Sequence, residues 1–394
     1  MLTTRAELRH LLLEQQSLSS SRSPGSPVTW VVQQGFLQLD WRPHALASGH
    51  DLVLANRLQG YQLGDIDVAL YNGGQIFEHC LHVPGVLPAA GYDLIRDPEA
   101  IAALARPGSL GARVLQLLAS EGPLSQHELL RILQSEGWHE RRNVEQTIHQ
   151  LFIRGAILVR QREGPLRTYD LAERVLPRRN HTTLSTPERQ QALALHALRV
   201  LAPVSQATWS QAINGIGSRA KLDLSTLKRE KGRLITELVA RGKAIHLQVE
   251  DPVQSYFVPV EWLSALERRS FILAPRVHFL SPIDPLVWDR QRTYDLFGFD
   301  CRRQVYAPAD ARRRPLSACI LPVLYGEALV GRLEPRMSWA SGRLLIEGIH
   351  LEDPTLLEDT HFRNAFATAL SDLALLHGAR DVCADGPVPP RLIP

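Results

Sequence analysis

The chain repeats itself, and the repeat restricts what it can fold into. Residues 151–169 read L-F-I-R-G-A-I-L-V-R-Q-R-E-G-P-L-R-T-Y, and residues 238–256 read L-V-A-R-G-K-A-I-H-L-Q-V-E-D-P-V-Q-S-Y. Each segment opens on L-x-x-R-G, runs into an apolar strand, turns at a proline and reaches a tyrosine. Arg154 and Tyr169 are spaced as Arg241 and Tyr256 are. Glycine directly after a helical pattern is a C-cap signal, because it enters the left-handed conformation without a Cβ penalty. A β-hairpin then follows, with Glu163-Gly164-Pro165 or Glu250-Asp251-Pro252 at its tip.

What precedes each hairpin extends the unit. Helical patterns cover Leu110–Ser120, Ser125–Ser135 and Glu140–Arg154 before the first, and Pro187–Leu201, Ser205–Ile213 and Ser225–Arg241 before the second. Ser125 is the expected N-cap of its helix. Three short helices and a hairpin describe a winged helix, a helix-turn-helix variant whose third helix enters a major groove. The two third helices carry Arg141, Arg142, Lys228, Arg229, Lys231 and Arg233. Charge supports this placement. Residues 1–100 carry a net −4, residues 101–260 a net +8 and residues 261–394 a net −1. A positive field concentrated in the repeated segment suits a polyanionic backbone.

The remaining segments complete an α+β expectation. The N-terminal hundred residues read as a degenerate third copy, in which Leu70–Pro88, with Gly73-Gly74 before the strand-like Gln75–Val83, resembles the two wings, and Met1–Gln16 reads as an amphipathic helix. From Phe271 the texture turns to short alternating strands, at Phe271–Leu280, Cys301–Tyr306, Ser317–Tyr325, Ala328–Glu334 and Arg343–Leu351. They suggest a small barrel-like sheet, closed by a helix over Phe362–His377 and a Pro-rich tail. The expected divisions are 1–105, 106–182, 183–270 and 271–394: three winged-helix units and a β-barrel-like domain. The four cysteines form no C-x-x-C pair, the histidines have no metal-ligand spacing, and no Gly-rich nucleotide loop is present. We therefore expect no cofactor and no metal. Nothing approaches the apolar length of a membrane span or a signal peptide, so we expect a cytoplasmic, nucleoid-associated monomer.

Several motifs resemble the winged-helix DNA glycosylases of the AlkZ and YcaQ type. The most specific is the run Leu280-Ser281-Pro282-Ile283-Asp284-Pro285-Leu286-Val287-Trp288-Asp289-Arg290. It continues through Asp295-Leu296-Phe297, Tyr306-Ala307-Pro308, Leu321-Pro322-Val323-Leu324 and Leu329-Val330-Gly331-Arg332. Upstream, Gln38-Leu39-Asp40 matches the family's Q-x-D catalytic motif, followed by Leu52-Val53-Leu54 and Arg57-Leu58, and Glu78, His82 and Pro88 fall where the family has Glu, His and Pro. Cys80, Val83, Gln304 and Glu334 depart from the family pattern, as does Pro315-Leu316-Ser317. These departures bear on substrate range.

The resemblance implies a DNA repair glycosylase acting on N7-alkylated purines in double-stranded DNA, with some relatives unhooking interstrand crosslinks. In extended backbone, residues i and i+2 share a face, so Gln38 and Asp40 point together while Leu39 packs inward. An ionised Asp40 would orient and partly deprotonate a water attacking C1′ and stabilise the oxocarbenium-like sugar. Gln38 would hold the same water. N7 alkylation makes the base a cationic leaving group, which removes the need for the second carboxylate of ordinary glycoside hydrolases. The motif supplies no lysine nucleophile, so we expect a monofunctional enzyme that leaves an abasic site. His82 would touch a phosphate or the lesion edge, or simply fill the core. Trp288 is expected in the core rather than as a stacking platform. Arg57, Arg290 and Arg332 would contact phosphates or bridge the barrel to the winged helices. Whether the base is flipped or read in place stays open, as does the alternative of a non-catalytic winged-helix regulator.

Overall fold

The computed structural model describes residues 1–393 apart from 20–21, 41–45, 134–136, 178–183, 220–223, 251–253, 268–275 and 301–319, and it leaves out the side chains of 218–219, 224–231, 266–267 and 390. The expected strand at Cys301–Tyr306, the tip at Asp251-Pro252, residues Gln304 and Pro315-Leu316-Ser317, and the side chains of Arg229 and Lys231 lie outside the described residues.

The chain opens with β1 (Leu2–Thr3) and α1 (Arg5–Gln15). Thr4 caps α1: its hydroxyl accepts from the Glu7 N–H, and the Glu7 carboxylate accepts from the Thr4 N–H in return. Next come α2 (Pro27–Gln34), β2 (Leu37–Gln38), α3 (Gly49–Ala55), α4 (Asp65–Asn72), β3 (Ile76–Cys80) and β4 (Pro84–Pro88). These three strands form one small sheet in the order β2-β4-β3. Two short helices, α5 (Tyr92–Ile95) and α6 (Pro98–Leu104), lead into the middle of the chain.

The repeated segments take closely matching forms. The first is α7 (Leu110–Glu121), β5 (Leu124–Ser125), α8 (Gln126–Ile132), α9 (Trp138–Ile153) and a hairpin of β6 (Ile157–Glu163) and β7 (Leu166–Leu171). Ser125 caps α8 in a reciprocal box with Glu128. Gly155 follows α9 at φ +74, the conformation its position required. Val144, Ile148, Leu151 and Phe152 line the buried side of α9 at helical spacing and pack on Val114, Leu118, Leu129 and Ile157. After α10 (Ala172–Val175), the second copy is α11 (Thr186–Leu201), α12 (Gln206–Arg219), α13 (Leu224–Ala240) and a hairpin of β8 (Ala244–Val249) and β9 (Gln254–Pro259). α11 and α13 match the sequence pattern to within a residue at each end, while α12 runs on from the expected Ile213 to Arg219. β1 pairs in parallel with β8, Leu2 opposite Gln248, so the start of the chain completes the sheet of the second copy.

After α14 (Leu263–Glu267) and β10 (Val277–Phe279), α15 (Arg290–Phe297) leads to β11 (Leu321–Tyr325), β12 (Ala328–Ser338), β13 (Arg343–Leu351), α16 (Thr360–Leu376) and β14 (Asp381–Ala384). The five strands run in the order β10-β11-β12-β13-β14. Register shifts at Val323/Leu324 and Glu334/Pro335 curl the sheet. The second shift accommodates Pro335 inside a long strand. α16 covers the sheet with Phe362, Phe366, Leu370 and Leu373, and the Phe366 ring stands 5.2 Å from that of Phe279. β14 lies between the expected helix and the expected Pro-rich tail at Asp385–Pro394, in a stretch given no element from the sequence, and it pairs with β13 in parallel.

A single apolar cluster joins α1, β3, the second copy and α15 through residues such as Leu8, Phe77, Trp209, Tyr256 and Leu296. The latch in this junction is polar. Arg57 and Asp284 are fully buried and make two parallel hydrogen bonds of 2.8 Å each. Arg57 also donates to the Gln16 and Val53 carbonyls, and the Leu286 N–H donates to Asp284. The S-P-I-D-P run is therefore a tether holding the loop after β10 against the residues that follow α3. Arg57 is bridging structure, not a phosphate contact, because no part of its guanidinium reaches the surface. Arg332 is corrected in the same way. It is almost buried, pairs with Glu352, donates to the Asp300 carbonyl and lies 4.4 Å from the Phe299 ring.

Candidate active site

The site is built on β2, an edge strand. Leu37 stands opposite Val86 and Gln38 opposite Gly85, and the Leu39 N–H donates to the Pro84 carbonyl at 3.0 Å. Leu37 and Leu39 point into an apolar cluster with Val31, Val53, Ile66, Ile76 and Val86. By strand alternation, Gln38 and Asp40 face the other way. Gly85 permits the close pairing: a Cβ there would fall 2.2 Å from the Phe36 ring and 2.6 Å from the Leu37 carbonyl oxygen.

Gln38 opens into a small cleft of about 30 Å³, lined also by Gln16, Gln34, Phe36, His82 and Trp288 and walled by Leu201 of α11 and Pro285 of the tethered loop. That volume admits about one water and no purine. The His82 ring is held between Phe36, at 5.3 Å between centroids, and Trp288, at 5.6 Å. Trp288 packs on the main apolar cluster and turns its remaining surface to the cleft. The structure thus brings Gln38, His82 and Trp288 together from three distant parts of the chain.

Asp40 lies two residues beyond Gln38 and is 8% exposed, more enclosed than the sequence led us to expect. One neighbour is α3, whose His50 lies against the Asp40 main chain. The Asp40 N–H donates to Nδ1 of His50 at 3.2 Å. His50 is wholly buried, and burial lowers its pKa, opposed by the charges of Asp51 and Asp40. Asp51 is itself fixed by the Tyr61 hydroxyl at 2.6 Å and the Gly64 N–H at 3.1 Å.

A second layer ties this strand pair to the first repeated hairpin. Glu78 on β3 is fully buried and accepts from Arg162 of β6, from Arg167 of β7 at 2.9 Å and from the Tyr71 hydroxyl at 3.2 Å. Asp67 lies close by, and burial together with Asp51 raises its pKa to about 6. Sequence reasoning assigned no role to His50, Asp51, Asp284 or Arg162. Only Asp284 carried a signal, as part of a specific run.

The candidate DNA-contacting side chains are distributed differently. Arg141 and Arg142 are exposed near the start of α9, with Arg142 lying 5.3 Å from the ring of the exposed Trp138. Arg290 is exposed at the start of α15. Arg229 and Lys231 belong to α13. Among the described residues, no helix is long and apolar enough to cross a membrane.

A family model described as "DNA glycosylase AlkZ-like" matches residues 31–376. The fold is similar to that of the Streptomyces sahachiroi DNA glycosylase AlkZ, with a TM-score of 0.62 at 15% sequence identity, over 98% of this chain and 99% of that one.

Proposed function

The chain belongs to the AlkZ-like DNA glycosylase family, and from that premise we propose that it releases N7-alkylated purines from double-stranded DNA by water attack directed by Gln38 and Asp40. The observation that carries the reading is the water-sized cleft that Gln38 borders with His82 and Trp288; strand alternation puts Asp40, two residues on, on the same side. A carboxylate and an amide placed around one water position it for attack at C1′. The Asp40 charge stabilises the sugar cation that develops. The departing base is already cationic, so no general acid is needed. Among the described residues no lysine lines the cleft, in keeping with a monofunctional reaction that ends at an abasic site and forms no Schiff base.

The two three-helix-and-hairpin segments act, in this reading, as winged helices on the duplex. Arg141, Arg142, Arg229, Lys231 and Arg290 meet phosphates, and the protein works as a monomer. His82 and Trp288 border the cleft, and we assign them to the sugar or lesion edge. Some interstrand crosslinks fall within the same chemistry, because an N7-tethered purine leaves as readily as an N7-methylated one. Borohydride trapping tests the monofunctional assignment: DNA and enzyme remain separable on a denaturing gel, whereas a covalent enzyme–DNA adduct contradicts it.

A further inference from the structure

The edge of β2 presents a main-chain problem with an unusual solution. Because the Leu39 N–H points to β4, the Asp40 N–H points to the opposite, unpaired side of the sheet. A buried N–H there requires an acceptor, and an imidazole nitrogen supplies it. The residue before that imidazole is Gly49. A Cβ at Gly49 would meet two Ile283 carbons at 2.9 Å and the Ser281 hydroxyl at 3.1 Å. The start of α3 is thus pressed against the tethered loop, and this seats His50 over the end of β2.

We propose that His50 is a positioning residue of the glycosylase site, holding the Asp40 main chain so that the Asp40 carboxylate stands on the Gln38 side of the strand. The proposal rests on the reading of Gln38 and Asp40 given above. Accepting at Nδ1 requires the neutral ring with its proton on Nε2, and burial favours that neutral form. Asp51 and Arg162 are the other charged groups that act on the ring. His50 does not touch substrate, and its effect on the reaction runs through Asp40.

Two variants separate this role from simple packing. His50→Leu keeps bulk and removes the acceptor, and His50→Asn places an amide oxygen near the Nδ1 position. Single-turnover release of N7-methylguanine should slow about 100-fold in His50→Leu, the order expected for displacing a catalytic group by about 1 Å. The DNA Kd should stay within about threefold, because the group acts on the reaction and not on binding. His50→Asn should recover most of the rate. A wild-type rate in His50→Leu, or a folded His50→Asn as slow as a folded His50→Leu, overturns the proposal. If His50→Leu does not fold, the folded His50→Asn decides alone: at least a tenth of the wild-type rate supports the role, and a lower rate overturns it. Asp40→Asn, run alongside, tells the two levels apart. If it retains the wild-type rate, the underlying reading fails; if it is inactive while His50→Leu is fully active, only the His50 assignment fails.

Discussion

Removing one charge from the Arg57–Asp284 latch should cost more than almost any other single change in the protein. Both side chains are fully buried, and the pair makes two 2.8 Å hydrogen bonds. In Asp284→Asn the guanidinium keeps its carbonyl acceptors, Gln16 and Val53, but loses its only counterion among the described residues. Breaking a buried pair in this way costs about 3–5 kcal/mol, mostly because the remaining charge stays desolvated. The double variant Arg57→Met/Asp284→Leu removes both charges and fills the space with apolar atoms. Such replacements are often neutral or stabilising, by up to about 4 kcal/mol. Urea unfolding at pH 7.5, followed by far-UV circular dichroism, reads both. The single variant should lower the midpoint strongly and the double variant should restore most of it. A single variant within about 1 kcal/mol of wild type, or a double variant less stable than the single one, refutes the latch.

Other outcomes follow from particular contacts. Gly85→Ala should destabilise by about 1–3 kcal/mol, since its Cβ would strike the Phe36 ring; equal unfolding midpoints would remove the close β2–β4 pairing from the account. His79 is buried and His196 half-buried, and both have pKa values lowered to about 4 by desolvation, so the unfolded chain binds protons that the folded chain excludes between roughly pH 6.5 and 4. Stability should be full above pH 6.5 and should fall as the pH drops through that window; a flat urea midpoint over the range would contradict this. Arg141→Gln and Arg142→Gln should each lower the slope of log K for DNA against log salt by about 0.9, whereas Arg332→Gln should leave the slope unchanged.

Local structure was legible where local chemistry decides it. Ser125, Glu128 and Gly155 mark helix ends by their own capping bonds and conformation, the first hairpin turns at its expected tip, and the paired strands of the second flank the expected one. Long-range pairings were not legible. Nothing near Leu2 announces a partner at Gln248, and β14 owes its strand character to the exposed edge of β13. The same limit governs the arginines. Arg57, Arg290 and Arg332 look alike in sequence, yet a distant carboxylate draws Arg57 into the core while Arg290 stays exposed. Gln38, His82 and Trp288 each follow from a motif, and only the fold shows that they share a cleft. His50 was hidden because a lone histidine at a helix start carries no pattern, and its importance depends on where the edge of β2 points.

The most direct test is an abasic-site assay on a duplex carrying a single N7-methylguanine, comparing the wild-type protein with Asp40→Asn under single-turnover conditions. Wild type should yield strands that break on alkali treatment, and Asp40→Asn should yield none above background while holding DNA with nearly the same Kd. Equal strand breakage by the two proteins would contradict the role given to Asp40, and no breakage by the wild type would contradict the N7-alkylpurine reading itself.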